Sequence, residues 1–235
     1  MSIIDELVEE VQPPRKKPKG VWVGLHWTAV ESIYCGVAHT YKSSEAQSIG
    51  NGGCLSSLGM DKLCSMALSE NTLDASVGCA AINSLIEPRG RKGNIEQRLK
   101  SIGKGKTVSV IGRFPFNDDV RKYARKCYIL EMNPAEDELP STAADEILPK
   151  CDLNIITATA IINHTIDRLL KLGSGGKNVI LGPTTPFSEI LFERGADILA
   201  GVRVTNTLEL VRTITQGVKK FRSIGGTEPL YLVKD

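Results

Sequence analysis

Four short turns, each following an apolar run, carry the residues best equipped for chemistry. The clearest is Gly182-Pro183-Thr184-Thr185-Pro186, directly after Val179–Leu181. Thr185 reads as a helix N-cap and Pro186 as the first helical position. Capping alone leaves Thr184 and the rigid Gly182-Pro183 entrance unexplained, so this turn is a candidate ligand wall. A second turn, Thr157-Ala158-Thr159 followed by Asn163, offers hydroxyls at a strand end and a candidate cap for the next helix. A third runs Ile111-Gly112-Arg113-Phe114-Pro115-Phe116. Its single glycine is not the G-x-G-x-x-G fingerprint, so ordinary NAD binding is not supported. The fourth apolar run, Tyr128–Met132, carries Glu131 at its end. A carboxylate there can accept from both hydroxyls of a ribose, or it can be a plain exposed strand-end charge.

Metal-ligating residues are sparse. His26, His39 and His164 show neither HxH nor HxxxH spacing, and no two of the six cysteines form a CxxC pair. His26 and His39 can nevertheless meet on adjacent antiparallel strands near Cys35 or Cys54, a donor set suited to Zn, Co, Ni or Cu. His39 and Glu131 are the candidate metal ligands. The cysteines fall mostly inside apolar periodic segments, the pattern of buried reduced thiols. Gly173-Ser174-Gly175-Gly176-Lys177 follows a helix and precedes a strand, the reverse of a phosphate-binding loop, so it reads as a turn. Spacing alone picks out no Ser-His-Asp or Cys-His grouping.

These turns need a scaffold that brings strand ends together. Residues 178–201 read as strand, turn, helix and strand, with Gly195 as the left-handed helix stop, which is one unit of a parallel α/β sheet. The same alternation begins at Thr107–Ile111 and continues through a helix at Asp118–Lys126, a strand at Tyr128–Met132, a helix at Thr142–Leu148 capped by Ser141 or Thr142, a strand at Asp152–Thr157 and a helix at Thr165–Leu172. A helix at Thr207–Gln216 closes it, and Pro229–Val233 is a candidate edge strand. Residues 104–235 are thus expected to form a Rossmann-like parallel sheet with helices on both faces, whose ligands bind outside the carboxyl ends of the strands.

Residues 1–103 follow a different pattern. Ser2-Ile3-Ile4-Asp5 is a capping box for a helix reaching about Val11. A basic Pro-rich connector (13–20) follows, read as a solvated loop. Val21–Thr40 alternates as two or three antiparallel strands, residues 43–59 form a Ser/Gly-rich loop, and helices follow at Met60–Leu68, from Thr72 to about Glu87 behind an Asn71–Asp74 capping box, and from Asn94 to Gly103. The small residues of the second of these helices allow close approach of a neighbour. The boundary between the two domains is expected at Lys104-Gly105-Lys106.

The chain has 235 residues, 41% apolar and 24% charged, with a formal net charge of +2. That is globular composition without the charge excess that marks nucleic-acid or acidic-membrane partners. No stretch approaches a membrane span, and the acidic N-terminus is unlike a signal peptide, which together predict a cytoplasmic protein.

Glu70–Leu85, with its Ala-Ala-Ile-Asn at 80–83, together with residues 156–201 resembles the heavy-metal chelation family of uncharacterised bacterial and archaeal proteins. The resemblance covers roughly residues 5–217. It implies an α+β enolase-N-like domain followed by a Rossmann-like domain. It also implies a ligand site in the interdomain cleft that unites Asn83, Gly112, Phe114, Glu131, Thr157, Asn163, Gly182, Thr184 and Thr185, and a transition metal or metallocofactor as its ligand, with a link to anaerobic cobalamin or metal-cofactor metabolism. The residues themselves also accommodate an enzyme that binds a nucleotide-like or phosphorylated small molecule, and a non-catalytic binding or assembly module. A homo-oligomer is left open, and no catalytic residue is assigned.

Overall fold

The computed structural model describes residues 1–42 and 48–234; residues 43–47, the start of the expected Ser/Gly-rich loop, lie outside the described residues. The first part of the chain contains helix α1 (Ile3–Glu10), strands β1 (Gly20–Val23), β2 (Trp27–Glu31) and β3 (Cys35–His39), and helices α2 (Met60–Ser65) and α3 (Thr72–Asn83). The second contains β4 (Arg91–Lys92), α4 (Glu96–Gly103), β5 (Thr107–Ile111), α5 (Asn117–Tyr123), β6 (Lys126–Glu131), β7 (Leu139–Pro140), α6 (Ala144–Ile147), β8 (Leu153–Thr157), α7 (Thr159–Ile162) and α8 (Ile166–Leu172). It closes with β9 (Lys177–Leu181), α9 (Glu189–Glu193), β10 (Ile198–Val204), α10 (Thr207–Thr215) and β11 (Thr227–Val233).

The expected α+β meander and Rossmann-like sheet are both present. β1, β2 and β3 form a three-stranded antiparallel sheet, and the other strands an eight-stranded sheet ordered β4-β11-β10-β9-β8-β5-β6-β7. From β7 to β10 all neighbours are parallel; β11 and β4 are antiparallel additions. Alternation along the central strands divides the core. Ile111, Leu130, Ile156 and Ile180 face α1, α3, α8 and α9, whereas Val108, Val110, Ile129 and Ile155 face α4 and α5. No helix among the described residues is long and apolar enough to cross a membrane.

The meander is held between α3 and α10. Small residues make the α3 side possible: a Cβ at Gly36 would lie 2.2 Å from the Ala80 carbonyl oxygen, and one at Gly78 2.0 Å from the Ala67 nitrogen. On the other side Trp27, Ala29 and Val37 pack with Leu210 and Ile214 of α10. The Ser2–Asp5 capping box forms reciprocally.

Several local expectations differ. Asn71 caps α3 by accepting from Leu73 N–H at 3.0 Å, but the box does not close, because Asp74 accepts from Gly50 N–H at 2.7 Å instead. α3 stops at Asn83 rather than near Glu87, where the Ser84 hydroxyl turns back to the Ala81 carbonyl and Tyr34 N–H takes the Ser84 carbonyl. α5 is shorter than expected, with β6 starting at Lys126, and neither Ser141 nor Thr142 caps α6. β11 is not an edge strand. It pairs with β10 over its whole length, from Ile198 opposite Val233 to Val204 opposite Thr227, and β4 covers part of its other side.

The order of strands creates one break in direction. β5 leads to β6 on one side, and β8, β9 and β10 then follow in sequence on the other. The helix after β5 lies on one face of the sheet and the helices after β8 and β9 on the opposite face, so the connections diverge between β5 and β8.

Candidate functional site

That divergence is a topological switch point, the place where open α/β sheets leave a crevice beyond the strand ends. Gly112 follows β5 with φ +110°, a conformation that disfavours any side chain. A Cβ there would sit 3.0 Å from Thr157 Cβ at the tip of β8. The bare backbone of Gly112 and the Thr157 side chain are therefore direct neighbours. Thr157 Oγ1 lies 3.0 Å from Thr159 Oγ1 in the turn that follows. Gly182, at the tip of β9 on the far side of β8, has φ +135°.

The turn after Gly112 is held firmly. Asn117 receives Phe114 N–H at 3.2 Å and donates to the Gly112 carbonyl at 3.3 Å, and the Phe114 ring stacks on Phe116 with centroids 5.2 Å apart. Arg113 makes a two-pronged ion pair with Glu138 and donates to the Asn133 carbonyl at 2.9 Å. The Arg113 guanidinium holds the Glu138 carboxyl down to about 2, helped by Ala135 N–H. Glu131, at the end of β6, accepts from the neighbouring Met132 N–H at 3.2 Å.

The meander reaches these tips through β3, whose unpaired edge presents backbone groups to side chains. Asn83 donates from Nδ2 to the Val37 carbonyl at 3.0 Å and to the Thr184 carbonyl at 2.9 Å. Thr184 Oγ1 accepts from His39 N–H at 3.0 Å, and Ser76 Oγ from Tyr41 N–H at 3.0 Å. Asn83 and Thr184, two residues expected in one cleft, thus meet the candidate metal ligand His39 in a hydrogen-bonded clamp between the two sheets. Beyond His39 the chain crosses toward β6, where Tyr41 Oη bonds Met132 Sδ at 2.7 Å. Gly112, Phe114, Glu131 and Thr157 lie at the neighbouring tips of β5, β6 and β8.

Thr185 is not the cap of α9. Its hydroxyl donates to the Ala200 carbonyl at 3.0 Å inside the fold, and Ser188 caps the helix by accepting from Ile190 N–H at 3.1 Å. Asn163 does not cap α8 from the N-cap position. It accepts from the Thr165 N–H and hydroxyl at 3.3 and 2.7 Å just before that helix begins. The space beside the clamp, lined by Cys35, Asn83, Pro183 and Thr185, amounts to about 20 Å³, room for a single water.

His39 is strongly perturbed. Burial, then the positive charges of His26, Lys219 and Lys42, push its pKa down to about 4, so the imidazole is neutral at physiological pH. Its Nδ1 is buried without a hydrogen-bond partner. Trp27 packs edge-on against it at 5.2 Å and Tyr41 at 6.3 Å. Trp27, Tyr41 and Met132 were not singled out from the sequence. Tyr41 and Met132 lie 91 positions apart, and no local pattern joins them.

Comparison with known proteins agrees with this fold. A family model named DUF364 and described as "Putative heavy-metal chelation" matches residues 96–228, more than half the chain. The chain belongs to the DUF364 family. A companion model, DUF4213, carries the same description and matches residues 4–86. Two solved DUF364-family proteins of unknown function share the fold. The one from Desulfitobacterium hafniense has a TM-score of 0.85 at 23% identity, covering 99% of this chain and 98% of the other. The one from Pyrococcus horikoshii has a TM-score of 0.76 at 23% identity with the same coverage. No curated protein matches.

The family description implies a metal, and the donor set can be tested against it. Among the described residues no three His, Cys, Asp or Glu side chains group closely enough to hold an ion. Cys35 starts β3 whereas His39 ends it, roughly 13 Å along the strand, so Cys35, one of the two thiols expected near the His26–His39 pair, does not reach His39. Three of the thiols are also poor donors: burial lifts Cys64 and Cys79 to about 12 and Cys35 to about 11. A resident ion caged by the described residues of this DUF364 chain does not fit. What the described residues offer a metal is one neutral imidazole at the end of β3, packed between Trp27 and Tyr41.

Proposed function

We propose that this chain binds a metal-carrying small molecule in the crevice beyond β5 and β8, the metal arriving as cargo on its own chelator. The observation that carries this reading is the switch point. There Gly112 leaves backbone bare beside Thr157, and the connections part to opposite faces of the sheet. The meander, clamped down through Asn83 and Thr184, roofs the strand ends. A cargo that brings most of its own ligands needs few from the protein, which accords both with the family description and with the sparse donor set. Neutral His39 is the side chain best suited to fill a remaining coordination position.

A second reading rests on Glu131. A carboxylate at the tip of the strand next to Gly112 is the usual acceptor for ribose hydroxyls, which suits a nucleotide-like or phosphorylated ligand and a catalytic role.

Calorimetric titration under nitrogen separates the two. Protein purified without chelator is titrated with Co, Ni and Zn ions, alone and as histidine chelates, and with a panel of nucleotides. The expected outcome is saturable binding of a chelate at one per chain, weakened by Gly112→Val and by Thr157→Val while circular dichroism stays native. Tight stoichiometric binding of bare ions, insensitive to both substitutions, overturns the proposal. Nucleotide binding that Glu131→Ala abolishes selects the second reading instead.

A further inference from the structure

A groove of about 580 Å³ opens between α4 and α5, on the face of the sheet opposite α8 and α9. That is the size of a small-molecule site. Tyr123 and the stems of Lys100, Lys104 and Lys122 provide its accessible apolar surface over a floor of buried Leu99 and Phe116, and Glu96 and Asp119 also line it. Asp119 is engaged with Lys122 at 3.0 Å, and Arg222 stands against Glu96, whose Oε1 is buried without a hydrogen bond. Among the described residues Lys100 and Lys104 have no carboxylate partner, so the groove carries uncompensated positive charge on flexible, partly apolar stems.

Tyr123 adds the second half of the pattern. Gly103 lets its ring lie against α4, since a Cβ at that position would stand 2.9 Å from the ring. Its hydroxyl is buried with no hydrogen-bond partner. Burial raises its pKa to about 12, so the phenol keeps its proton and remains a donor in want of an acceptor. A buried tyrosine hydroxyl normally finds one, and leaving it unpaired is costly.

We infer that the α4–α5 groove binds an amphiphilic anion, a small aliphatic or aromatic body ending in one carboxylate or phosphate group. The apolar body lies on the Tyr123 ring and the lysine stems, above the buried Leu99 and Phe116. A small outward shift of the Tyr123 ring lets its hydroxyl donate to the head group, and Lys100 and Lys104 neutralise the charge. The site is separate from the strand-tip crevice, although Phe116 stacks on Phe114 and so gives the two a common wall.

Isothermal titration of the full chain with octanoate, octyl phosphate, inorganic phosphate and octanol tests this. At least one of the two amphiphilic anions should saturate at one per chain, and bind about tenfold or more tighter than octanol or inorganic phosphate. The tighter of the two identifies the head group. The pair Lys100→Glu with Lys104→Glu, both exposed, should weaken anion binding about tenfold or more and leave octanol unchanged while circular dichroism stays native. Tyr123→Phe should weaken it about fivefold or more. Absence of saturable binding by both anions overturns the inference. So does binding that the charge-reversed pair leaves intact, or octanol binding as tightly as the anions.

Discussion

Breaking the clamp between the two sheets should cost stability in a way that reveals whether Asn83 and Thr184 are structural. Asn83 Nδ2 gives two bonds, at 3.0 Å to Val37 and 2.9 Å to Thr184, and Thr184 Oγ1 takes a third, at 3.0 Å from His39. Val37 and Thr184 are each 2% exposed, so water cannot replace the lost partners in the folded chain. Asn83→Ala removes two neutral hydrogen bonds at about 1 kcal/mol each, or about 2 kcal/mol together. In a chain of this length 1 kcal/mol moves the thermal midpoint by about 2–4 °C, so the variant should melt about 4–8 °C lower. Thr184→Val keeps the shape and strands the His39 N–H, at a cost of about 1–3 kcal/mol. Both substitutions act on one network, so the double variant should depart from additivity by about 0.5 kcal/mol or more. Urea unfolding followed by tryptophan fluorescence and circular dichroism measures all three. Single-variant losses below about 0.5 kcal/mol, or strict additivity, would refute the clamp and return both side chains to the pool of ligand contacts.

Two further outcomes follow from ionisation and burial. The folded chain holds the His39 pKa near 4 against an ordinary 6.5, so the unfolded chain binds that proton more readily. The contribution of the neutral ring is complete above about pH 6.5 and falls away as the pH drops toward 4, by at most about 3 kcal/mol. His39→Gln should therefore flatten the loss of stability across that window, and parallel wild-type and variant curves would contradict the assignment. Iodoacetamide at pH 8 should modify exposed Cys54 first and leave buried Cys64, Cys79 and Cys151 untouched until unfolding, as read by peptide mass mapping. Comparable labelling of Cys64 or Cys79 in the native chain would show that their burial is wrong.

Much of the fold was legible because its signals are local. The apolar run Thr107–Ile111 is β5 as expected, the alternation of Val21–Thr40 became the meander, and Ser2 with Asp5 closed its capping box. The Thr-Pro signal at 185–186 misled because a tertiary contact overrides it. Phe187 is 4% exposed and packs over Gly201, where a Cβ would stand 3.1 Å from its ring. That packing keeps the chain extended until Ser188 can cap the helix. The position of β11 depends on a ladder with β10 that no local periodicity encodes. The clamp was harder still, since Asn83 and Thr184 are 101 positions apart. The strand tips could be picked out from residue type. The switch point between β5 and β8 could not, because strand order is a property of the assembled sheet.

The most direct test of ligand binding at the β5/β8 tips is X-ray diffraction at the metal absorption edge. Crystals of protein purified without chelator would be grown with a nickel–histidine chelate. The expected result is an anomalous peak within organic density beside Gly112 and Thr157, under the end of β3. A peak coordinated by three or more protein side chains, or density confined to any other part of the molecule, would contradict it.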